Sequence, residues 1–392
     1  MIAAALSNIA EVSAAEWNAL ELGGVPFLRH EFLSALESTG CVGGQTGWMP
    51  RHLTLRERPG GPLVAAMPLY EKEHSWGEFV FDFSWAQAYA RYGDRYYPKL
   101  VAATPFTPAT GHRLLLHPDA PAAATRKALL RALDSLTIEL GASSVHAQFP
   151  TERDALELEA AGWLARIDCQ FHWINPGYAD FDAFLSTFTA EKRKKAKRER
   201  RRVAELGITF EIRPGHELDA ATWATVYALH AGTFHRHGHQ PYLSLAFFLK
   251  VSRELPDAVR IVLARMGSQI VATAILFQGR DTLYGRYWGA AGEFNSLHFE
   301  TCYYQGIEYA IGAGLKRFEP GTQGEHKIAR GFSPSVTYSS HYIADPEYRR
   351  AIAGYLREER AGVRRYIESA EHHVPYKTSE APLDVGSGDA GA

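Results

Sequence analysis

The chain repeats itself, and that repeat restricts its folding more than any single motif does. Leu55-Arg56, then Gly60-Gly61-Pro62-Leu63-Val64-Ala65-Ala66-Met67-Pro68-Leu69, is echoed by Leu263-Ala264-Arg265-Met266-Gly267-Ser268-Gln269-Ile270-Val271-Ala272-Thr273-Ala274-Ile275-Leu276. A helical pattern ending at Gly141 and the strand after it find a counterpart ending at Gly314. Gly162-Trp163 and His172 match Gly331-Phe332 and His341 at the same spacing of ten. The offset is 207 residues at the first match and 173 at the second, so the first half holds about 34 extra residues. The aromatic stretch from Trp76 to Arg113 is where they fit. A period this long reads as a duplicated domain and not as a solenoid.

A chain of 392 residues exceeds one ordinary core and fits two domains. The expected division is 1–176 with the aromatic insertion at about 76–113, then 177–376 with a basic helix at 190–206. The small, polar residues of 377–392 read as a disordered tail. Each half alternates strands and helices, which gives an α/β (α+β) class, a mixed sheet flanked by helices. Hairpin strands are expected at 52–56 with 63–70 and at 259–265 with 269–278, and further strands at 282–288 and 336–343. Leu297 to Ala310 reads as one helix, with Phe299, Cys302 or Tyr303, Gly306 and Ala310 on one face. Pro320 to Phe332 carries a proline and several glycines that argue against regular structure, yet it concentrates Glu325, His326, Lys327 and Arg330.

No run of eighteen apolar residues exists, so no integral membrane segment is expected. The N-terminus lacks a signal-peptide pattern. Cys41, Cys169 and Cys302 are isolated, which suits a reducing cytoplasm and argues against a zinc site. His235, His237 and His239 alternate, but no Cys or carboxylate stands at ligand spacing, so no metal is expected. Gly-x-Ser-x-Gly, P-loop and His-Glu-x-x-His motifs are absent. The formal net charge of −2 hides an uneven distribution, because Glu191 to Arg202 holds nine Lys or Arg and two Glu. Solvation explains many such runs, yet this one would repel itself without a polyanion. Phosphates of a nucleotide donor, a tRNA acceptor stem or a lipid headgroup would fit it. DNA reading is not expected, since no helix-turn-helix or zinc-finger spacing accompanies the run.

Hairpin, strand, helix, strand and a splayed last pair resemble the acyl-CoA N-acyltransferase (GNAT) fold, here in tandem. The residues that carry a closer likeness are Tyr96-Tyr97-Pro98-Lys99-Leu100 with Pro105-Phe106-Thr107-Pro108, and Glu191-Lys192-Arg193-Lys194 with Arg198-Glu199-Arg200-Arg201. Pro241-Tyr242-Leu243, Leu283-Tyr284-Gly285-Arg286-Tyr287-Trp288-Gly289, His298-Phe299-Glu300-Thr301-Cys302-Tyr303-Tyr304-Gln305 and Gly324-Glu325-His326-Lys327 complete the set. On these, from about Phe27 to Tyr366, the chain resembles the FemAB-like family of N-acyltransferases associated with peptidoglycan biosynthesis and recognition.

That resemblance implies direct transfer of an acyl or aminoacyl group to an amine on a small molecule, glycan or peptide. It implies no tightly bound cofactor, with acyl-CoA or aminoacyl-tRNA as co-substrate and tRNA as a candidate partner. The pyrophosphate-binding turn of typical GNAT enzymes is absent, and Gly289-Ala290-Ala291-Gly292-Glu293 occupies its place. Both donors therefore stay open. Acyl transfer to an amine needs a proton acceptor and donors for the developing oxyanion. Glu325, His326, Lys327 and Glu300 are the catalytic candidates, although Glu325 paired with Lys327 or Arg330 would equally pin an irregular loop. Glu300 would also suit a helix N-terminus. Arg330, Arg286, Lys192, Arg193, Lys195 and Arg198 are the donor or phosphate candidates. Tyr97, Lys99, Tyr242, Trp288 and His298 are candidates for an acceptor pocket. A rival class is a non-catalytic binder of an anionic glycan, lipid or nucleic acid.

Overall fold

A computed structural model describes residues 1–322 and 324–377; the expected tail beyond Lys377 lies outside the described residues. The chain divides into two compact units. Among the described residues, Met1–Asp168 with Val336–Arg364 forms the first, and Cys169–Ser335 with 365–377 forms the second.

The first unit opens with β1 (Ile2–Leu6), α1 (Ala14–Asn18), α2 (His30–Ser38), β2 (Trp48–Pro50), β3 (His52–Arg56), β4 (Leu63–Met67) and β5 (Leu69–Lys72). It continues with α3 (Phe83–Arg91), β6 (Lys99–Ala102), β7 (Leu115–Leu116), α4 (Ala122–Glu139), β8 (Ser144–Gln148), α5 (Glu152–Ala160) and the start of β9 (Leu164–Ile174). Pro68 divides what the periodicity reads as one strand, since a proline has no N–H for the ladder. On one side of it β4 pairs with β3 and β7, and on the other β5 pairs with β2 and β6. β6 runs parallel to β8, with Leu100 opposite Val145. Leu129, Leu133 and Leu136 of α4 bury one face against Leu53, Leu55, Val64 and Leu100. Each such side chain contributes about 1.5–3 kcal/mol. The aromatic stretch is more than decoration, because it supplies α3 and the central strand β6. Past the end of β8, Arg113 is buried. Its Nε donates to the Gln148 carbonyl at 2.7 Å and its Nη2 to the Ala109 carbonyl at 3.1 Å.

The second unit contains α6 (Phe181–Ser186), α7 (Ala190–Glu205), β10 (Ile208–Pro214), α8 (Ala220–Arg236) and α9 (Leu245–Glu254). These lead into β11 (Val259–Met266), β12 (Gln269–Gln278) and β13 (Thr282–Ala290), and later β14 (Arg317–Glu319). β10 to β13 form an antiparallel meander, and β13 then runs parallel to β14. That last pairing joins Thr282–Tyr284 to Arg317–Glu319 and stops, while β13 continues to Ala290. At the parting point a Cβ on Gly285 would lie 3.1 Å from Pro320 Cα. Farther along, α8 crosses β13 so closely that a Cβ on Gly289 would meet the Leu229 carbonyl oxygen at 2.1 Å. The core gathers Trp173, Phe184, Tyr304, Ile307, Phe318 and Phe332. After these come β15 (Ser333–Ile343), whose Ser339–Ile343 pair with β8, and α10 (Pro346–Glu371).

Two local readings are corrected. The Pro320–Phe332 segment is not wholly irregular, because Glu325–Arg330 winds into a 3-10 turn closed by Gly331 at φ 93. The Leu297–Gly312 helix is not uniform either: Glu300–Tyr304 is a π turn, with the Gln305 N–H bonded to the Glu300 carbonyl. Among the described residues no helix is long and apolar enough to cross a membrane.

Candidate active site

The open end of the β13/β14 pair is where the second unit gathers its unusual chemistry. Strands that part at their carboxyl ends leave a crevice whose walls are the following loops and helix N-termini. Three elements converge there: β13, which carries Arg286 and Trp288; the helix after it; and the 3-10 turn after β14. Arg286 stands at the register shift opposite Ile275/Leu276, a bulge that re-aims a side chain. Burial lowers its guanidinium pKa. The Thr233 hydroxyl of α8 donates to the Trp288 carbonyl at 2.9 Å.

The π turn widens the helix by one residue per turn, a distortion often found at functional sites. It presents Cys302 and Tyr303 toward the 3-10 turn. Tyr303 Oη and His326 Nε2 lie 2.8 Å apart. His298 packs edge-on against Trp288, Tyr303 and His326, with ring centroids at 5.0, 5.3 and 6.0 Å. Burial, and then the neighbouring His326, push His298 down to about 4. His326 is exposed at the rim and is lowered as well, by desolvation first and then by Lys327. Its ring occupies the space over Gly324, where a Cβ would lie 2.1 Å from His326 Cε1. Gly324 has φ +105, so the sequence Gly-Glu-His-Lys needs glycine there twice over.

Lys327 is buried and donates from Nζ to the Gly321 carbonyl at 2.6 Å. Desolvation brings it from its ordinary 10.5 to about 7, with only the Cys302 thiol acting the other way. Burial raises the Cys302 thiol far above the thiol range, so it carries no thiolate near neutrality.

Beside this group lies a network of buried ion pairs. Ala196, Glu199 and Val203 form the inward line of α7, so a carboxylate sits where an apolar stripe is expected. Glu199 takes Arg330 through Nε at 3.1 Å and Nη2 at 2.7 Å, and accepts from Tyr304 Oη at 2.7 Å. Arg330 also donates to the His326 carbonyl at 2.5 Å and lies 3.2 Å over the Phe299 ring. Glu300 is buried against Arg200, at 3.1 and 3.2 Å from Nε, and accepts from Gln305. Burial raises its pKa while Arg200 opposes that shift. Arg200 reaches Glu308 too, at 2.7 Å.

The structure therefore brings together His326, Lys327, Trp288 and His298, and ties Glu300 and Arg330 into ion pairs alongside. Glu325 stands apart: it is exposed and accepts from Tyr366 Oη at 2.8 Å. Tyr242 packs on Phe234 at 5.5 Å. Tyr97 and Lys99 belong to the first unit, where Lys99 is buried against Glu78 and Asp82 and Tyr97 Oη meets Ser75 Oγ at 2.9 Å. Among the described residues Lys192, Arg193, Lys194, Lys195, Arg198 and Arg202 of α7 form no ion pair, whereas Lys197 and Arg201 do. Two of these six, Lys192 and Arg193, stand in the first turn, against the helix dipole. The sequence reading gives neither Tyr303 nor Glu199 a site role: the π turn re-aims the first, and the second has its partner, Arg330, 131 residues later. No group of three or more His, Cys, Asp or Glu among the described residues is arranged to hold a metal.

The fold is a mixed α/β one, and the solved structures similar to it include FemX. FemX itself is 13% identical, with a TM-score of 0.54 over 90% of this chain and 100% of that one. The C-terminal domain of a putative lysylphosphatidylglycerol synthetase from Agrobacterium fabrum is 10% identical, with a TM-score of 0.50 over 85% and 92%. A tandem GNAT protein from the clavulanic acid biosynthesis pathway is 10% identical, with a TM-score of 0.46 over 88% and 99%. No curated protein sequence matches. The FemAB-like profile, described as peptidoglycan biosynthesis/recognition, matches residues 8–378, and the chain belongs to that family.

Proposed function

We propose that the protein transfers an acyl or aminoacyl group from a phosphate-bearing carrier to an amine of a cell-wall peptide or amino sugar, by direct attack. The observation that carries this reading is the pairing of an exposed His326, bonded to Tyr303, with a buried Lys327 at about 7. In the step, the neutral amine attacks the carbonyl carbon and its proton passes to His326. Lys327, as the ammonium, holds the oxyanion and then protonates the leaving oxygen or sulfur. One N–C bond forms and one C–O or C–S bond breaks. Cys302, held as a thiol by burial, gives no covalent intermediate. The family description supports the cell-wall acceptor, and the unpaired cations of α7 support a polyanionic carrier.

The test supplies radiolabelled aminoacyl-tRNA or acyl-CoA with an amine acceptor and follows amide formation. Turnover with one donor, lost in His326→Gln and Lys327→Met, is the expected result. tRNA retention that is salt-sensitive and survives acyl-CoA competition selects the first donor. A binding role is favoured by the exposed Trp76, Phe81 and Tyr92. It would appear as ligand affinity unchanged in His326→Gln with no turnover in any form.

A further inference from the structure

The first unit contains a second constellation that the transfer reaction does not use. Ser339 lies on the wall of a cavity lined also by Phe79, Phe149, Arg166, Asp168 and Tyr338. Phe81, 60% exposed, carries that wall to the surface. Phe79 and Phe149 have φ of 59 and 50, a left-handed backbone that bulky side chains adopt only where the surroundings enforce it. Behind Ser339 runs a buried chain of hydrogen bonds. Ser339 Oγ is 2.9 Å from His341 Nε2, and His341 Nδ1 is 2.7 Å from His146 Nδ1. His146 Nε2 is 3.2 Å from Tyr96 Oη, which is 2.5 Å from Asp82 Oδ2.

The bond directions in this chain follow from the Asp82 end together with the Ser143–Ser144 branch. Asp82 is ionised: burial opposes the charge, but Lys99 at 2.5 Å holds its pKa at about 2. A carboxylate only accepts, so Tyr96 must donate to it. The phenol oxygen then accepts from His146 Nε2–H. Ser144 Oγ, 2.8 Å from the same nitrogen, accepts as well, since Ser143 Oγ donates to the Tyr96 carbonyl and is left to take the Ser144 hydroxyl at 3.2 Å. Burial keeps both imidazoles neutral, so His146 Nδ1 is an acceptor and His341 Nδ1–H the donor to it. That leaves the lone pair of His341 Nε2 facing Ser339, whose hydroxyl donates. The order is nucleophile, base, orienting group and buried carboxylate, the logic of an activated serine, which is recognised by geometry and not by sequence position. Arg166 completes it on the same wall. Glu359 fixes the guanidinium through Nε and Nη2 at 2.8 Å each, and the Phe81 carbonyl takes Nη1 at 2.8 Å, leaving N–H groups beyond these bonds.

We infer that Ser339 is an activated nucleophile that accepts an acyl group from a small ester or thioester, with His341 as base and Arg166 as oxyanion donor. Ser339 Oγ attacks the carbonyl carbon and its proton moves to His341 Nε2. The C–O or C–S bond then breaks, and the leaving group takes that proton. Water cleaves the acyl-serine by the same route, returning the proton to Oγ and releasing a carboxylic acid. Three phenylalanine rings at the cavity favour a short apolar acyl group.

The full-length protein treated with a fluorophosphonate, with the adduct mapped by peptide mass, tests this. Modification of Ser339 is expected, together with a burst of nitrophenolate from 4-nitrophenyl acetate. Ser339→Ala removes both. His341→Gln slows modification by about 10²–10⁴-fold. Tyr96→Phe, which breaks the chain without touching the cavity, slows the modification step and leaves its half-saturating reagent concentration unchanged. Far-UV dichroism confirms that each variant is folded, and should one unfold, the wild-type adduct map still decides. No adduct on Ser339, an adduct elsewhere only, or full reactivity in folded His341→Gln and Tyr96→Phe overturns the assignment.

Discussion

Replacing Lys327 with methionine should stabilise the protein while removing its transferase activity. The Lys327 pKa lies near 7 in the fold and near 10.5 in the unfolded chain, a separation of 3.5 units. At about 1.4 kcal/mol per unit this corresponds to about 5 kcal/mol of destabilisation at or below neutral pH. Methionine has similar length and leaves the Gly321 carbonyl without its donor, which costs about 1–2 kcal/mol. The net gain at pH 7 is therefore about 3 kcal/mol. The sign follows from proton counts. Between pH 7 and 10.5 the unfolded chain holds a proton that the folded Lys327 lacks, so wild-type stability rises with pH across that window. Above 10.5 neither state is charged and the penalty is gone; below 7 it is complete. Urea unfolding of both proteins from pH 6 to 10 reads this directly. The stability difference should shrink by about 1.4 kcal/mol per pH unit above 7. A variant less stable than wild type at pH 6, or a difference independent of pH, would refute the burial of an ammonium at this site.

Other expectations follow from the same geometry. Glu199→Gln strands the buried Arg330 guanidinium and should cost about 3–5 kcal/mol in urea unfolding. Gly324→Ala forces a Cβ into the His326 ring at a positive φ; amide formation should fall at least tenfold in kcat, with far-UV dichroism unchanged. Transfer rate against pH should fall above about 7 as Lys327 loses its proton, and Lys327→Arg, if it supports turnover, should move that limb upward. Reversing Lys194, Lys195 and Arg198 to Glu should weaken binding of a phosphate polyanion and flatten its salt dependence, and leave Tm within a few degrees.

How far the sequence could be read depended on which forces were local. Hairpins showed themselves because Gly60 and Gly267 punctuate alternating apolar runs, and β11 and β12 fall within a residue of their expected ends. The polar segment with His326 and Lys327 was visible as composition alone. What escaped notice depends on tertiary partners. β1 reads as an unremarkable alanine-rich start and becomes a strand only through pairing Ile2 with Arg56. β6 was hidden among aromatics and prolines, because its pairing with β5 and β8 is long-range. The inward Glu199 breaks the amphipathic pattern of α7, and only Arg330, 131 residues later, explains it. Similarly, the helix periodicity carried the Leu297–Gly312 stretch as uniform because the π turn shifts phase by a single position.

That extra position has a consequence for engineering. A π turn is in effect a one-residue insertion carried inside an intact helix, so removing one residue between Glu300 and Tyr304 would restore an ordinary spiral and rotate everything before it by about 100° relative to Gln305–Gly312. The two halves of this helix are thus geared to each other by a single unit of length. Point substitutions here should be absorbed one at a time, whereas a single-codon deletion would turn His298 and Glu300 away from their partners together.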